Sequence, residues 1–209
     1  MSFSYFSSPL YLSLSLCGCV CGWVSADATD QGFVRAYSAI MAAAADASNP
    51  YAPFQRIFEH VAAPAPTPLL VHCKGGKDRT GVVCALLLSA CGVDDEVVAH
   101  EYSLTELALA GRREGFVQHV TVQNDALRGD REGALNMISA RKDAMLATLA
   151  MIRATYGSAE RYMVEHCGLT PAAVEQIRRN FVVDAHDAPE QVSVDWRAHA
   201  KLVAECERT

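Results

Sequence analysis

The stretch His72-Cys73-Lys74-Gly75-Gly76-Lys77-Asp78-Arg79-Thr80-Gly81 holds a nucleophile, three cations, a carboxylate and two adjacent glycines within ten residues. It follows the short apolar run Leu69-Leu70-Val71 and precedes a longer one, Thr80 to Cys91, so it reads as a loop between a strand end and a helix start. Such a loop directs several backbone N–H groups at one point, and the helix dipole adds partial positive charge there, which suits an anion. Gly75 and Gly76 let the amides converge, because glycine accepts a positive φ without a Cβ clash. Arg79 supplies a planar fork that matches two phosphate oxygens. Cys73 sits where the same dipoles and charges lower a thiol from its usual pKa of about 8.5 to roughly 3.5 to 7.5, leaving it ionised near neutrality. A thiolate below a bound phosphate attacks phosphorus in line and forms a phosphocysteine. Thr80 then donates a hydrogen bond to the sulfur, and Asp78 is the nearest candidate acid for the leaving oxygen. Asp94, Asp95 and Glu101 are the acids to consider if Asp78 is structural. The expected catalytic residues are Cys73, Arg79 and Asp78, and the expected phosphate-binding run is Lys74, Gly75, Gly76, Lys77, Asp78, Arg79 and Thr80.

Other chemistries fit less well. A nucleotide-binding phosphate loop needs Ser or Thr after the Gly-Lys pair, but Asp78 follows Gly76-Lys77, and Val71 stands where that motif requires glycine. His60, His100, His119 and His166 have no metal-ligand spacing, and Cys17, Cys19 and Cys21 lack a second Cys/His pair to complete a tetrahedral site. Neither a metal nor an organic cofactor is expected. His72, next to the thiol, reads as a buried imidazole that orients the loop. The chain has eight cysteines. Cys84 and Cys91 lie in an apolar run and read as core positions, and a free Cys73 fits a reducing compartment. A resolving disulfide from Cys91 or Cys167 to Cys73 stays open.

These residues need a frame. Helices are expected over Phe33 to Ala47, ended by Asn49-Pro50, and over Phe54 to Val61 with Phe54, Ile57, Phe58 and Val61 on one face. Pro64, Pro66 and Pro68 make a stiff connector, and Leu69 to His72 should be a strand buried in a parallel sheet. Thr80 to Cys91 should be a buried helix stopped by Gly92, and Asp94 should cap a helix through Tyr102. Gly111 to Lys142, with five arginines among glycines, reads either as a lid or as a solvated surface. Three helices should close the chain: Ala144 to Tyr156, Ala159 to His166, and Pro171 to Val182 behind Thr170.

Two hundred and nine residues at 51% hydrophobic and 20% charged describe one globular domain with tails, and a net charge of -6 gives no basic face for nucleic acid. Residues 1–30 form a leader, uncharged as far as Ala26, in which Val24-Ser25-Ala26 resembles a signal-peptidase site but Met1 to Pro9 lacks the basic start of a signal peptide. Cytoplasmic residence is the reading and secretion the alternative. The leader's Ser-diluted apolar stretch is too short for a bilayer span. Residues 31–183 are the expected domain and residues 184–209 an acidic tail, where Asp184, Asp187, Glu190, Asp195, Glu205 and Glu207 outweigh Arg197, Lys201 and Arg208.

His72 to Gly81 resembles the Cys-x5-Arg-Thr signature of the cysteine-dependent protein tyrosine phosphatase superfamily. In the form HCxxGKDRTG it is similar to the tyrosine phosphatase family of fungi and bacteria, which includes a secreted mycobacterial phosphatase of tyrosine and lipid phosphates. Thr80 to Tyr102, and Ala144 to Val182 with Tyr156-Gly157 and Gly168-Leu169-Thr170, extend the resemblance to about two thirds of the chain. It implies that Cys73 is the nucleophile, that Arg79 binds phosphate and that Asp78 takes the acid role. The family's N-terminal Arg-Asp pair and Asp-Leu-Arg strand have no counterpart before Phe33. Tyr11 to Leu16 alternates at strand period and either replaces one of those strands or belongs to a disordered leader.

The expected fold is a three-layer α/β domain with a small, mainly parallel sheet and a helix-rich C-terminal half. The expected activity is phosphomonoester hydrolysis on phosphotyrosine proteins, with phosphoinositides as a second substrate class suggested by Lys74 and Lys77. Those lysines would meet the neighbouring phosphates of an inositol ring, unless they face solvent or pair with Asp78. The competing reading is a pseudophosphatase that binds phosphate without turnover, because the N-terminal strands are missing.

Overall fold

The computed structural model describes residues 10–13, 30–184 and 201. Strand β1 (Leu10–Ser13) precedes helix α1 (Asp30–Ala45) and helix α2 (Pro53–Val61), and β2 (Leu69–His72) leads into α3 (Asp78–Ala90). Helices α4 (Asp95–Ser103), α5 (Thr105–Leu109), α6 (Arg113–Gln123) and α7 (Arg131–Ile138) follow, with short 3-10 turns at Ala110–Arg112 and Asp125–Leu127. Helices α8 (Lys142–Tyr156), α9 (Ala159–Glu165) and α10 (Pro171–Phe181) complete the order. Among the described residues no helix is long and apolar enough to cross a membrane.

The two strands pair in parallel, with Leu10 opposite Leu69 and Ser13 opposite His72. Among the described residues the sheet is this two-stranded ladder, less than the sheet of a three-layer domain that the sequence led us to expect, because most of the described chain is helical. Strand β1 takes up part of the alternating Tyr11 to Leu16 stretch, while Leu14 to Leu16, the signal-like Val24-Ser25-Ala26, the cysteines at 17, 19, 21 and 206 and most of the acidic tail lie outside the described residues. β2 is not buried on both faces, as its apolar run suggested. Its residues alternate between half-buried and exposed, with Leu69 and Val71 packed on the core and Leu70 turned outward, 52% exposed. A lone ladder covers one face only, so a run of four apolar or aromatic side chains is split between core and surface.

The core is helical. α1 runs against α8 and sends Phe33, Ala36, Tyr37, Ile40, Met41 and Ala44 inward along one stripe. α2 buries Phe54, Ile57, Phe58 and Val61, as the spacing predicts. Phe54 stands edge-on to Phe58 and to Tyr162 of α9, and the Tyr162 hydroxyl donates 2.7 Å to the carbonyl of Met41. This bond joins α9 to α1 and satisfies a buried phenol. Arg178 of α10 donates 2.7 Å to the Ala90 carbonyl at the C-terminal end of α3, and Asn180 donates 2.8 Å to both Val61 and Ala63 where the proline connector begins. Orphan helix-end carbonyls are thereby satisfied from a distant element.

Three details depart from the sequence reading. α3 starts at Asp78, one turn-half earlier than Thr80, so Asp78 and Arg79 belong to its first turn. Asp94 occupies the N-cap of α4 but its side chain makes no capping bond, whereas Thr170 does accept from the Ala173 amide of α10, at 3.1 Å. Gly111 to Lys142 is largely helical. Asp130 caps α7 through the Gly133 amide at 2.8 Å, and its apolar positions are spread too thinly among arginines for the pattern to be read without a partner surface.

Candidate active site

β2 delivers the chain at His72, and α3 begins after five intervening residues. Gly76 has φ 67°, the left-handed region that a side chain disfavours, and no atom lies within 4 Å of a Cβ placed there. Conformation, not crowding, requires this glycine. The turn folds the loop around Cys73, which is half-buried. Burial pushes its thiol pKa up, but hydrogen bonding from the Thr80 hydroxyl and amide, the charge of Arg79 and the Gly76 amide together outweigh it, and the net shift is downward. The Thr80 hydroxyl is itself buried and has no partner of good hydrogen-bond geometry in the resting site. It acts on the sulfur as a nearby dipole. The other described cysteines shift the opposite way: burial raises Cys91, and pushes Cys84 up to about 11 and Cys167 up to about 12. All four are free thiols.

Asp78 is at the first position of α3 and is held from two sides. Tyr37 of α1 donates to its Oδ1 at 2.9 Å, and the Lys77 ammonium lies 3.0 Å from the same oxygen. The Tyr37 and Tyr102 hydroxyls are 2.5 Å apart. Both phenols are pushed well above their ordinary pKa, by burial first and by the Asp78 carboxylate second. They remain protonated donors. No local pattern singles out Tyr37 or Tyr102 for chemistry, since each stands at a buried position of its helix. The only trace was Gly81, a glycine inside an apolar helix, which lies against the Tyr102 ring.

Lys77 departs from the sequence expectation of a rim cation. Its side chain is 6% exposed, and its ammonium donates 2.7 Å to the Met137 carbonyl and 2.8 Å to that of Ser139. With Asp78 as third partner, the three donors of an ammonium are matched. It also lies 5.0 Å from the centre of the Phe33 ring. Lys77 thus ties the loop to the segment between α7 and α8. Lys74 remains exposed. His72 is exposed as well, against the expected buried imidazole, with Nδ1 3.3 Å from the Cys73 carbonyl.

Cys73, Lys74, Gly75, Lys77, Asp78 and Arg79 line one cavity of about 240 Å³. Its opposite wall is Leu109, Phe116, His119, Val120, Met137 and Ile138, so the arginine-rich stretch that resisted assignment stands over the loop. The wall is anchored by buried Glu106, which accepts from the Ala140 amide and from Arg113. Asp94, Asp95 and Glu101 do not line this cavity, and Asp95 pairs with Arg153 at 2.6 Å. Cys91 and Cys167 are likewise absent from it. Among the described residues no three His, Cys, Asp or Glu side chains are grouped to hold a metal ion. The arrangement can hold a tetrahedral anion, present a sulfur nucleophile beneath it and offer a carboxyl group beside it.

Comparison with known proteins agrees with this chemistry. A tyrosine-protein phosphatase of Nostoc commune is 30% identical over 126 residues, covering 60% of this chain and 42% of that protein. The triple specificity protein phosphatase PtpB of Mycobacterium tuberculosis is 54% identical over 35 residues, 17% of this chain and 13% of that protein. The chain thus spans less than half the length of these curated relatives. A model of the tyrosine phosphatase family matches residues 24–183, from the leader to the end of α10, and the chain belongs to that family.

Proposed function

We propose that this chain is a cysteine-dependent protein tyrosine phosphatase that hydrolyses phosphomonoesters through a phosphocysteine on Cys73. The single observation that carries this is one cavity, between the end of β2 and the start of α3, lined together by the Cys73 thiol, the Arg79 guanidinium and the Asp78 carboxyl group; the downward shift of that thiol, where every other described cysteine is shifted upward, agrees with it. In the first step the Cys73 thiolate attacks phosphorus, the bond from phosphorus to the ester oxygen breaks, and Asp78 gives that oxygen its proton. Arg79 and the loop amides hold the three equatorial oxygens. In the second step water attacks phosphorus, Asp78 takes a proton from it, and the thiolate leaves with Thr80 supporting its charge. No metal or organic cofactor enters the scheme.

Residues 31–183 are the proposed catalytic domain, with the three-layer α/β organisation of the family. Residues 1–30 and 184–209 flank it. The proposed substrates are phosphotyrosine proteins, with phosphoinositides as a second class that now rests on Lys74, since Lys77 is turned away. A nucleophilic thiol favours a reducing compartment, the cytoplasm, with export as the alternative. The binding-only reading rested on the missing N-terminal strands. The pairing of Leu10–Ser13 with β2 and a lowered thiol pKa, which simple phosphate binding does not need, favour turnover.

A single-turnover assay with an aryl phosphate tests the function. A burst of phenol with trapped phosphocysteine is expected, and Cys73→Ser should abolish it while keeping phosphate binding, because a serine hydroxyl is not ionised at neutral pH. Arg79→Lys should lose more than tenfold, since an ammonium cannot reproduce the bidentate fork. Phosphate binding by the wild type without burst or turnover would leave a binding module instead.

A further inference from the structure

Tyr37 has one hydroxyl proton and two oxygen neighbours. It donates to Asp78 Oδ1 at 2.9 Å. At the 2.5 Å contact with Tyr102, Tyr102 must then be the donor. The chain of bonds has one direction, from the Tyr102 hydroxyl to the Tyr37 hydroxyl to Asp78 Oδ1, and the Lys77 ammonium arrives at that same oxygen from the other side at 3.0 Å. Tyr37 and Tyr102 are buried, and their rings are fixed edge-on to each other, with Tyr37 also edge-on to Phe33. A core aromatic that served packing alone would not need its hydroxyl at a half-exposed carboxylate in a cleft.

We propose that Tyr37 is a positioning residue for Asp78, and that Tyr102 is its support. This rests on the proposed function and adds what holds the acid. Two donors on Oδ1 fix the rotation of the carboxyl group and leave Oδ2 as the oxygen that carries and returns the proton. When that proton passes to the leaving oxygen, negative charge develops on Asp78, and the Tyr37 and Lys77 bonds strengthen as it does. The same bonds hold the carboxylate in place to accept a proton from water in the second step. Tyr37 does not line the cavity itself and meets it at Asp78, so its effect passes through Asp78.

The test is Tyr37→Phe, which keeps the ring and removes the donor. Turnover of phenyl phosphate, whose leaving oxygen needs a proton, should fall about tenfold in kcat, with KM within twofold of wild type. Turnover of 4-nitrophenyl phosphate, whose phenoxide leaves without help, should fall less than threefold. In an Asp78→Asn background the same change should cost nothing further, since the residue it acts through is gone. Tyr102→Phe should show the same split at smaller size, and it serves if Tyr37→Phe folds poorly. Equal losses on both esters, no loss on either, or full additivity with Asp78→Asn would each overturn the assignment of Tyr37. Absence of turnover by the wild-type chain would instead overturn the hydrolase reading, and this one with it.

Discussion

Gly81 of α3 and Tyr102 of α4 meet at a helix crossing so close that a Cβ on Gly81 would stand 2.8 Å from Tyr102 Cδ2 and 2.9 Å from Cε2. Backbone and ring share the space a methyl group would fill, and the Tyr102 hydroxyl thereby reaches Tyr37. Gly81→Ala gains helix propensity of about 1 kcal/mol, but the buried ring cannot yield without disturbing its neighbours, which costs roughly 1 to 3 kcal/mol. The expected outcome is a lower urea midpoint, together with slower turnover of phenyl phosphate. A raised midpoint would show that the ring moves freely.

Thr80 controls the thiol. Its hydroxyl and amide lower the Cys73 pKa against the effect of burial, so Thr80→Val, which keeps the shape and loses the hydroxyl, should raise it. Below the thiol pKa the thiolate fraction then drops, and iodoacetate alkylation of Cys73 should slow most at the acid end of the pH range, with the half-rate pH moving upward. Thr80→Ser should restore the wild-type profile. An unchanged profile in Thr80→Val would assign the lowering to Arg79 and the amides alone.

Lys77 should matter for stability. Lys77→Met keeps an unbranched apolar stem but leaves the Met137 and Ser139 carbonyls without the donor that reaches them at 2.7 and 2.8 Å. Removing a charged donor from buried acceptors costs about 2 kcal/mol. Chemical denaturation should show that loss, and hydrogen exchange should show faster opening of residues 137–139. A variant as stable as wild type would mean that water replaces the ammonium without cost.

Lys74 bears the question of substrate class. It is exposed at the cavity rim, and among the described residues no ion pair involves it. Lys74→Ala should lower kcat/KM for a phosphoinositide about threefold to fivefold more than for a phosphotyrosyl peptide, with a difference that shrinks in salt. Equal decreases would make the lysine a general electrostatic helper, and the lipid class would be dropped.

The local grammar of this chain is strong where one residue type forces one conformation. Pro171 after Thr170, the prolines at 64, 66 and 68, and the apolar face of α2 could each be read from the sequence, because capping chemistry, a fixed φ and helical periodicity act within a few residues. The phosphate loop was legible for the same reason: Cys73, Gly76, Arg79 and Thr80 act on one another across seven residues, and their spacing carries their chemistry.

What the sequence could not decide depends on residues far apart in the chain. Lys77 reads as one more cation beside Arg79, and only the packing of the α7–α8 junction sends its ammonium to two carbonyls sixty residues away. Nothing local marks Tyr37 or Tyr102 for chemistry, yet the approach of α1 and α4 brings the Tyr37 hydroxyl to Asp78 and the Tyr102 hydroxyl to Tyr37. β2 reads as a buried strand, but the faces of a strand are set by what covers them, and a two-stranded ladder leaves Leu70 outside. Composition and spacing thus determined the nucleophile and its anion pocket through short-range forces. The tertiary fold decided which charges face the pocket and what holds the acid, because long-range packing fixes the direction of a side chain and local propensity does not.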